Sequence, residues 1–365
     1  MTHAPRPLAP SATKALFLDL LPDEYPLTDA PPFRKRQIAE WVFKKRAASF
    51  TDMSSLPAAW RADLDIRFTL RALELARSQG ATDATRKFLW RLNDGALVES
   101  VLIPASPALY GETSDRLTLC ISTQVGCAYG CRFCASGLDG FRRNLSPGEI
   151  VAQIMAAETA SASRVNNLVF MGMGEPLANY DNLMRAIDII NAPWGLGIGA
   201  RHITVSTSGL VPAILRLADD PRQIRLAISL HGATDEVRDR IMPINRKYPV
   251  ADLMEACAQY RAKKHRVLTF EYILIDGIND DPAQARLLAE HARRLRAKVN
   301  LIPYNPVHGL RFRTPSDARM AAFAGVLEAR RVPATVRREK GTGIDAACGQ
   351  LRLKTIRAEE PKRRS

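Results

Sequence analysis

The chain has 365 residues, 46% hydrophobic and 25% charged, a globular balance long enough for one large domain with smaller ones beside it. Its 52 Lys and Arg outnumber 38 Asp and Glu, for a formal charge of +14; plain solubility explains part of such an excess, and a nucleic-acid partner, bound through phosphate neutralisation, explains more. The opening MTHAPRPLAP lacks the apolar core of a secretory signal, and nowhere is there an apolar run long enough to span a bilayer, so the cytoplasm is the expected setting.

Residues 1–32 are Pro-rich and read as irregular. From Phe33 the pattern turns helical, with Ile38, Trp41 and Val42 on one face, and a small basic helical accessory domain is expected over 33–80. RKFLWRL and ALVESVLIP flank Asn93-Asp94-Gly95, a hairpin signal, which gives a short strand-containing linker over 81–116 that carries Glu99. Strand-like runs then recur at LTLCIST, NLVFMGM, HITVSTS, IRLAISL, VLTFEYILI and KVNLIPY. Helix-like segments follow them near Pro147, Asn182, Val211, Ala251, Pro282 and Ser316. Ser146, Pro147 and Glu149 form a helix-start signature, with N-cap, first-turn proline and capping box. Six strands alternating with six helices predict an α/β fold, a partial parallel (βα)6 TIM-like barrel over 117–335. Residues 336–365 form a C-terminal segment with Cys348 and a basic tail.

The polar and glycine clusters fall at strand ends: Cys127 to Cys134, then MGMGEP, STSG, SLHG and YNP. A parallel barrel builds its site at the carboxyl ends of its strands, so these clusters are expected to converge on one pocket. Cys127, Cys131 and Cys134, spaced C-x3-C-x2-C, suit three irons of a 4Fe-4S cluster and leave the fourth iron open to an exchangeable ligand. Zinc would ask for a fourth protein ligand, and no His or Cys closely follows Cys134.

This triplet, with Phe133 before its last cysteine, resembles the radical S-adenosylmethionine (SAM) superfamily, in which the open iron chelates SAM. In that setting Gly172 and Gly174 allow close backbone approach and Glu175 accepts from the methionine amine. Ser206, Ser229, Leu230, His231 and Asn305 complete the expected SAM contacts. Each serine is equally readable as a cap, and His231 as a satisfied structural residue.

The resemblance narrows further. LCISTQVGCAYGCRFCASG, FMGMGEPLANYDNL, SLHGATDEVRDRIMPINRKYP, EYILIDGIND, NLIPYNP and GIDAACGQL resemble the RlmN family, adenosine C2-methyltransferases of 23S rRNA and tRNA. The sister Cfr family, which methylates carbon 8, has Ala where this chain has Pro176, so the pattern leans to RlmN and leaves Cfr-like chemistry as the alternative. The RlmN resemblance implies that Cys348 carries the methyl group, that Cys120 releases it by forming a disulfide with Cys348, and that Glu99 accepts the carbon-2 proton. It implies two SAM molecules per turnover, one methylating Cys348 and one generating the radical, and an electron donor such as flavodoxin. A monomer is expected. Without the resemblance, Cys120 and Cys348 read as buried structural thiols and Glu99 as a solvated charge; Cys257 reads as packing in either case. The connection between Glu99 and Cys120, with ASPALYGETSD, is longer than the family leads one to expect. Candidate RNA contacts are Arg34, Lys35, Arg36, Lys44, Lys45, Arg46, Arg142 and Arg143 beside Phe141, and Arg337 and Arg338. The base must be unstacked to reach a buried site.

Overall fold

The computed structural model describes residues 14–27, 30–80, 85–106, 111, 114–337 and 350–359. At the N-terminal end, strand β1 (Ala15–Leu16), helices α1 (Pro32–Phe43) and α2 (Ala58–Arg67) and strand β2 (Phe68–Thr69) form one small packed unit. β1 and β2 pair in parallel. Phe17 organises the unit, its ring 4.6 Å from Tyr25, 5.2 Å from Phe50 and 5.5 Å from Phe68. Helix α1 buries Ile38 and Val42, and Trp41 beside them donates its indole N–H to Ser55 Oγ at 2.8 Å.

The next elements are β3 (Leu73–Gln79), β4 (Arg86–Leu92), β5 (Leu97–Pro104), β6 (Leu117–Cys120) and a hairpin of β7 (Gln124–Gly126) with β8 (Phe141–Asn144). Helix α3 (Pro147–Ser161), β9 (Asn167–Phe170), α4 (Tyr180–Asn191), β10 (Ile203–Thr207), α5 (Val211–Asp219) and β11 (Arg225–Ser229) follow. Two helices come next, α6 (Asp235–Ile241) and α7 (Val250–Lys264), and then β12 (Thr269–Leu274), α8 (Pro282–Leu295), β13 (Lys298–Pro303), α9 (Asp317–Ala329), β14 (Ala334–Val336) and α10 (Gln350–Glu359).

One ten-stranded sheet carries the site, in the order β14-β13-β12-β11-β10-β9-β6-β5-β4-β3. From β6 to β14 the neighbours run parallel, and β3, β4, β5 and β6 pair antiparallel. The six expected parallel strands are all present, in an open curl. Side chains alternate across it. Leu168, Phe170, Val205, Leu226, Ile228, Phe270, Val299 and Leu301 face the helices and share one core with Ile150, Ile187 and Leu288. The opposite face turns Cys120, Val169, Ser206, Ser229, Glu271 and Asn300 inward. Burying one face beneath helices while the other keeps polar groups is what positions the site. Among the described residues, no helix is long and apolar enough to cross a membrane.

Four features differ from the sequence expectation. Leu73–Gln79 lies inside the segment expected to be helical, yet forms the edge strand of the main sheet. Its face beyond Leu73 is mostly exposed, so apolar alternation is too weak to reveal it. Short β14 adds a seventh parallel strand. The seven-residue α6 precedes α7, and seven residues are two turns, too few to display a helical period. The β7–β8 hairpin brackets the cysteine loop. The start of α3 is as expected: Glu149 N donates to Ser146 Oγ at 3.2 Å and Ser146 N to Glu149 Oε2 at 2.9 Å.

Candidate active site

The three cysteines sit on the loop between β7 and β8, past the carboxyl end of β6. Gly126 and Gly130 bend this loop at φ of +75° and +61°. Cys127 N donates to Gly140 O at 3.0 Å, and Cys134 N to Cys131 O at 3.1 Å, which closes the loop into a cup. Cys131, Phe133 and Tyr129 rest against an apolar cluster that contains Ile241, Tyr304 and Leu353. Burial, helped by the neighbouring Cys134 and Glu175 and opposed by a backbone hydrogen bond from Tyr129, pushes the Cys127 thiol up to about 11. Burial likewise lifts Cys131 well above the ordinary thiol range, with Cys134, Cys127 and Glu175 adding to it. Buried thiols whose anions would repel one another, as at Cys127 and Cys131, are poor thiolates by themselves, and become good ligands when bound iron supplies the positive charge. Among the described residues, no three His, Cys, Asp or Glu side chains close around a single metal ion. A cubane seats each thiolate on its own iron and so spaces its ligands more widely than a lone zinc does. The donor set fits the cluster.

The other strand ends face this cup. Gly174 has φ +98°, and a Cβ there would lie 2.5 Å from Gln124 Cβ, so only glycine lets the β9 loop press on the β7 segment. Glu175 follows, almost fully buried. Its Oε1 accepts from Leu177 N at 3.1 Å, and its Oε2 accepts from Ser208 N and Ser208 Oγ, both at 2.8 Å. Burial raises its pKa and these hydrogen bonds oppose the rise. The carboxylate is therefore held in place by the protein and also acts electrostatically on Cys127, Cys131 and Tyr129. Ser206 Oγ and Ser229 Oγ lie 3.2 Å apart on adjacent strands.

His231 adopts φ +55°. Its Nδ1 accepts from Ile273 N at 3.0 Å, which leaves the ring proton on Nε2. Burial and then Arg238 push its pKa down to about 3. The Phe133 ring of the cysteine loop meets it edge-on at 5.0 Å. Leu230 is fully buried, its N–H donating to Glu271 O and its carbonyl accepting from Arg238. Its backbone groups are thus both engaged by the protein. Asn305 is half-buried beyond β13.

Glu99 is no solvated charge. It is 2% exposed on β5. Lys87 Nζ lies 3.2 Å from its Oε2, and Arg352 N of α10 donates to its Oε1 at 2.6 Å. Cys120 is buried on β6 directly opposite Val101, so Glu99, Val101 and Cys120 share the inward face. Cys348 lies outside the described residues. Gln350, two positions later, donates from Nε2 to Pro306 O at 2.6 Å, next to Asn305. Leu351 packs on Leu89 and Leu97, and Leu353 joins the cluster beneath the cysteine loop. Helix α10 thus bridges Glu99, the cysteine cup and the end of β13. Cys257 is fully buried in α7.

The basic candidates divide. Arg143 is held by Asp94 at 2.7 Å and by Glu149 at 2.7 Å, and Arg46 by Glu158. Both are structural cations. Arg142 and Phe141 are exposed on β8 beside the cysteine loop. Lys45 lies over the Trp41 ring at 4.0 Å, and Lys35 donates to Asp23 O at 3.2 Å. Arg337 is exposed, and Arg338 lies outside the described residues.

Sequence reasoning missed Lys87, Arg352 and Arg238. Lys87 was within reach. Counting back from Asn93-Asp94-Gly95 sets Leu89 opposite Glu99, so Lys87 is its diagonal neighbour. Arg352 carries no local signal, because its partners Glu99 and Asp139 lie far away in the chain; Arg238 carries none because only the fold brings the ends of β10 and β11 to α6.

The sequence matches the Radical SAM superfamily over residues 121–288. It is 52% identical to a probable dual-specificity RNA methyltransferase RlmN of Akkermansia muciniphila, over 96% of each chain. It is 48% identical to a dual-specificity RNA methyltransferase RlmN of Anaeromyxobacter dehalogenans, over 88% of this chain and 86% of that one. The fold matches the crystal structure of a radical SAM methyltransferase from Sphaerobacter thermophilus with a TM-score of 0.85 and 44% identity, over 92% of this chain and 98% of that one.

Proposed function

Since the chain belongs to the RlmN family of radical SAM enzymes, we propose that it methylates carbon 2 of an adenosine in 23S rRNA and tRNA through a methyl group carried on Cys348. RNA methylation, the 4Fe-4S cluster and SAM follow from membership of the family. The residue roles, the ring position and the pair of substrates are the proposal. When bound, the cluster and SAM supply the one-electron chemistry that an electron-poor ring carbon requires, because SAM alone delivers a methyl cation equivalent.

In this reading Cys127, Cys131 and Cys134 hold three irons. Gly174, Glu175, Ser206, Ser229, His231 Nε2 and Asn305 hold SAM, and Leu230 supports that wall by packing. Cys348 accepts a methyl group by nucleophilic displacement. Glu99 receives the carbon-2 proton, and Cys120 attacks the Cys348 sulfur to release the product. Helix α6 and the apolar cluster under the cysteine loop exclude water from this end of the curl. A single copy of the chain in the cytoplasm, reduced by a donor such as flavodoxin, is the proposed working form.

The observation that carries the reading is the contact between Glu99 and α10. Arg352 N reaches the buried carboxylate at 2.6 Å, so the helix that follows Cys348 is anchored on the proposed proton acceptor. Cys120 lies on the same inward face.

The test is anaerobic incubation of the reconstituted protein with labelled SAM and unmodified rRNA fragment or tRNA, followed by nucleoside separation. 2-Methyladenosine is expected, and Cys120→Ala should accumulate a covalent Cys348–RNA adduct. 8-Methyladenosine would replace the carbon-2 assignment with Cfr-like chemistry. Normal turnover by Cys120→Ala without adduct would overturn the two-thiol scheme.

A further inference from the structure

Arg238 is a buried cation with no carboxylate among its hydrogen-bond partners. It lies on α6 and has no exposed surface. Its Nε donates to Asn245 Oδ1 at 2.9 Å, Nη1 to the carbonyls of Leu230 and Ser229 (the latter at 3.3 Å), and Nη2 to Ser208 O at 2.9 Å. Every partner is a neutral oxygen. Asp235 and Asp239 stand one group away, each accepting from Asn245 Nδ2 at 2.9 Å. A guanidinium taken out of water costs stability unless an anion faces it, and buried charges in folded proteins are paired or face metal centres.

Beyond these two carboxylates, the cysteine cup brings a further anion toward Arg238 once it holds its cluster. Arg132 N donates to Ile241 O at 2.9 Å, which docks the loop on the last turn of α6, one turn from Arg238. Cys131 packs against the apolar cluster that includes Val237 and Ile241, which lie just before Arg238 and one turn after it on the same helix. Cys131 and Arg238 are within electrostatic reach of each other. A 4Fe-4S cluster on thiolates carries negative charge, and its potential responds to nearby charge.

We propose that Arg238 is the fixed counter-charge of the cluster and raises its reduction potential, while its donors hold the ends of β10 and β11 where SAM is to bind. This rests on the cofactor assignment above. One buried group would thus couple the redox poise of the cluster to the shape of the SAM wall. It is a positioning and tuning residue that touches neither SAM nor RNA.

The experiment compares anaerobically reconstituted wild type, Arg238→Gln and Arg238→Lys, without RNA. Iron content is measured first, then the midpoint of the cluster by dye-equilibrated titration read by electron paramagnetic resonance. With full iron content, Arg238→Gln is expected to titrate at a lower potential and Arg238→Lys near wild type. Arg238→Gln titrating with wild type, or Arg238→Lys falling as far as Arg238→Gln, would overturn the proposal. If Arg238→Gln does not fold, Arg238→Lys decides alone. A midpoint near wild type despite the lost carbonyl contacts supports the charge, and a lowered midpoint overturns it. Wild type that takes up no iron would defeat the cofactor assignment itself, a separate outcome from an unshifted midpoint.

Discussion

Lys87 and Glu99 form an ion pair at 3.2 Å with side chains 0% and 2% exposed, on adjacent antiparallel strands of the main sheet. The pair joins the strand that carries the proposed proton acceptor to the neighbouring strand of the hairpin. Removing one partner of such a pair leaves an uncompensated charge. Lys87→Met is expected to lower the free energy of unfolding by about 3–5 kcal/mol, read from urea unfolding. Lys87→Met combined with Glu99→Gln should recover part of the loss. Equal stability of the single variant and wild type would show that the pair contributes nothing.

Glu99→Gln alone separates proton acceptance from methyl loading. The variant should still methylate Cys348, detectable by mass spectrometry of the protein, while RNA turnover drops by about 100-fold or more. Undiminished turnover would remove Glu99 from the reaction.

His231 gives stability a defined acid dependence. The folded histidine is held neutral, its pKa pushed down to about 3 by burial and Arg238, whereas an unfolded histidine titrates near about 6.5. Between these values the unfolded chain binds a proton that the native state refuses, so this group makes stability fall as pH drops from 6.5 toward 3. His231→Asn tolerates the positive φ and retains an acceptor for Ile273 N. Its unfolding midpoint should therefore fall less steeply than wild type over that range. Parallel curves would place the acid sensitivity elsewhere.

Gly174→Ala tests the packing of the proposed SAM wall. The new Cβ would lie 2.5 Å from Gln124 Cβ at a φ of +98°. A loss of about 1–3 kcal/mol is expected, together with weaker SAM binding in equilibrium dialysis. Unchanged affinity would mean that the loop relaxes without cost to the site.

On the RNA side, Phe141→Ala with Arg142→Ala should weaken tRNA binding several-fold and lower the salt dependence by roughly one phosphate contact. Arg143→Ala should instead cost stability with little change in affinity, because Arg143 is held by Asp94 and Glu149. Filter binding over a salt series distinguishes the two, and the reverse pattern would exchange their roles.

The parallel core was legible because each strand is a short apolar run followed by glycine or serine punctuation and a helix start. Ser146-Pro147-x-Glu149 is the clearest case: its capping hydrogen bonds depend on four consecutive residues. The cysteine triplet was legible for the same local reason. What escaped depends on contacts that the fold creates and no local pattern marks. Glu99 looked solvated because its partners, Lys87 and the Arg352 amide, lie on another strand and on the last described helix. Arg238 drew no reading, since only the fold brings the ends of β10 and β11 to its helix. Edge strand β3 shows one covered residue and then exposed ones, so it left no period to read.

Helix α10 has a consequence for timing. Residues 350–359 leave the ribosome after every other described residue, yet they supply an amide to Glu99 and an apolar side chain beneath the cysteine cup. Until they arrive, the carboxylate lacks one of its donors and the cup lacks part of its floor. A chain made only as far as residue 349 is therefore without the finished form of this proposed site.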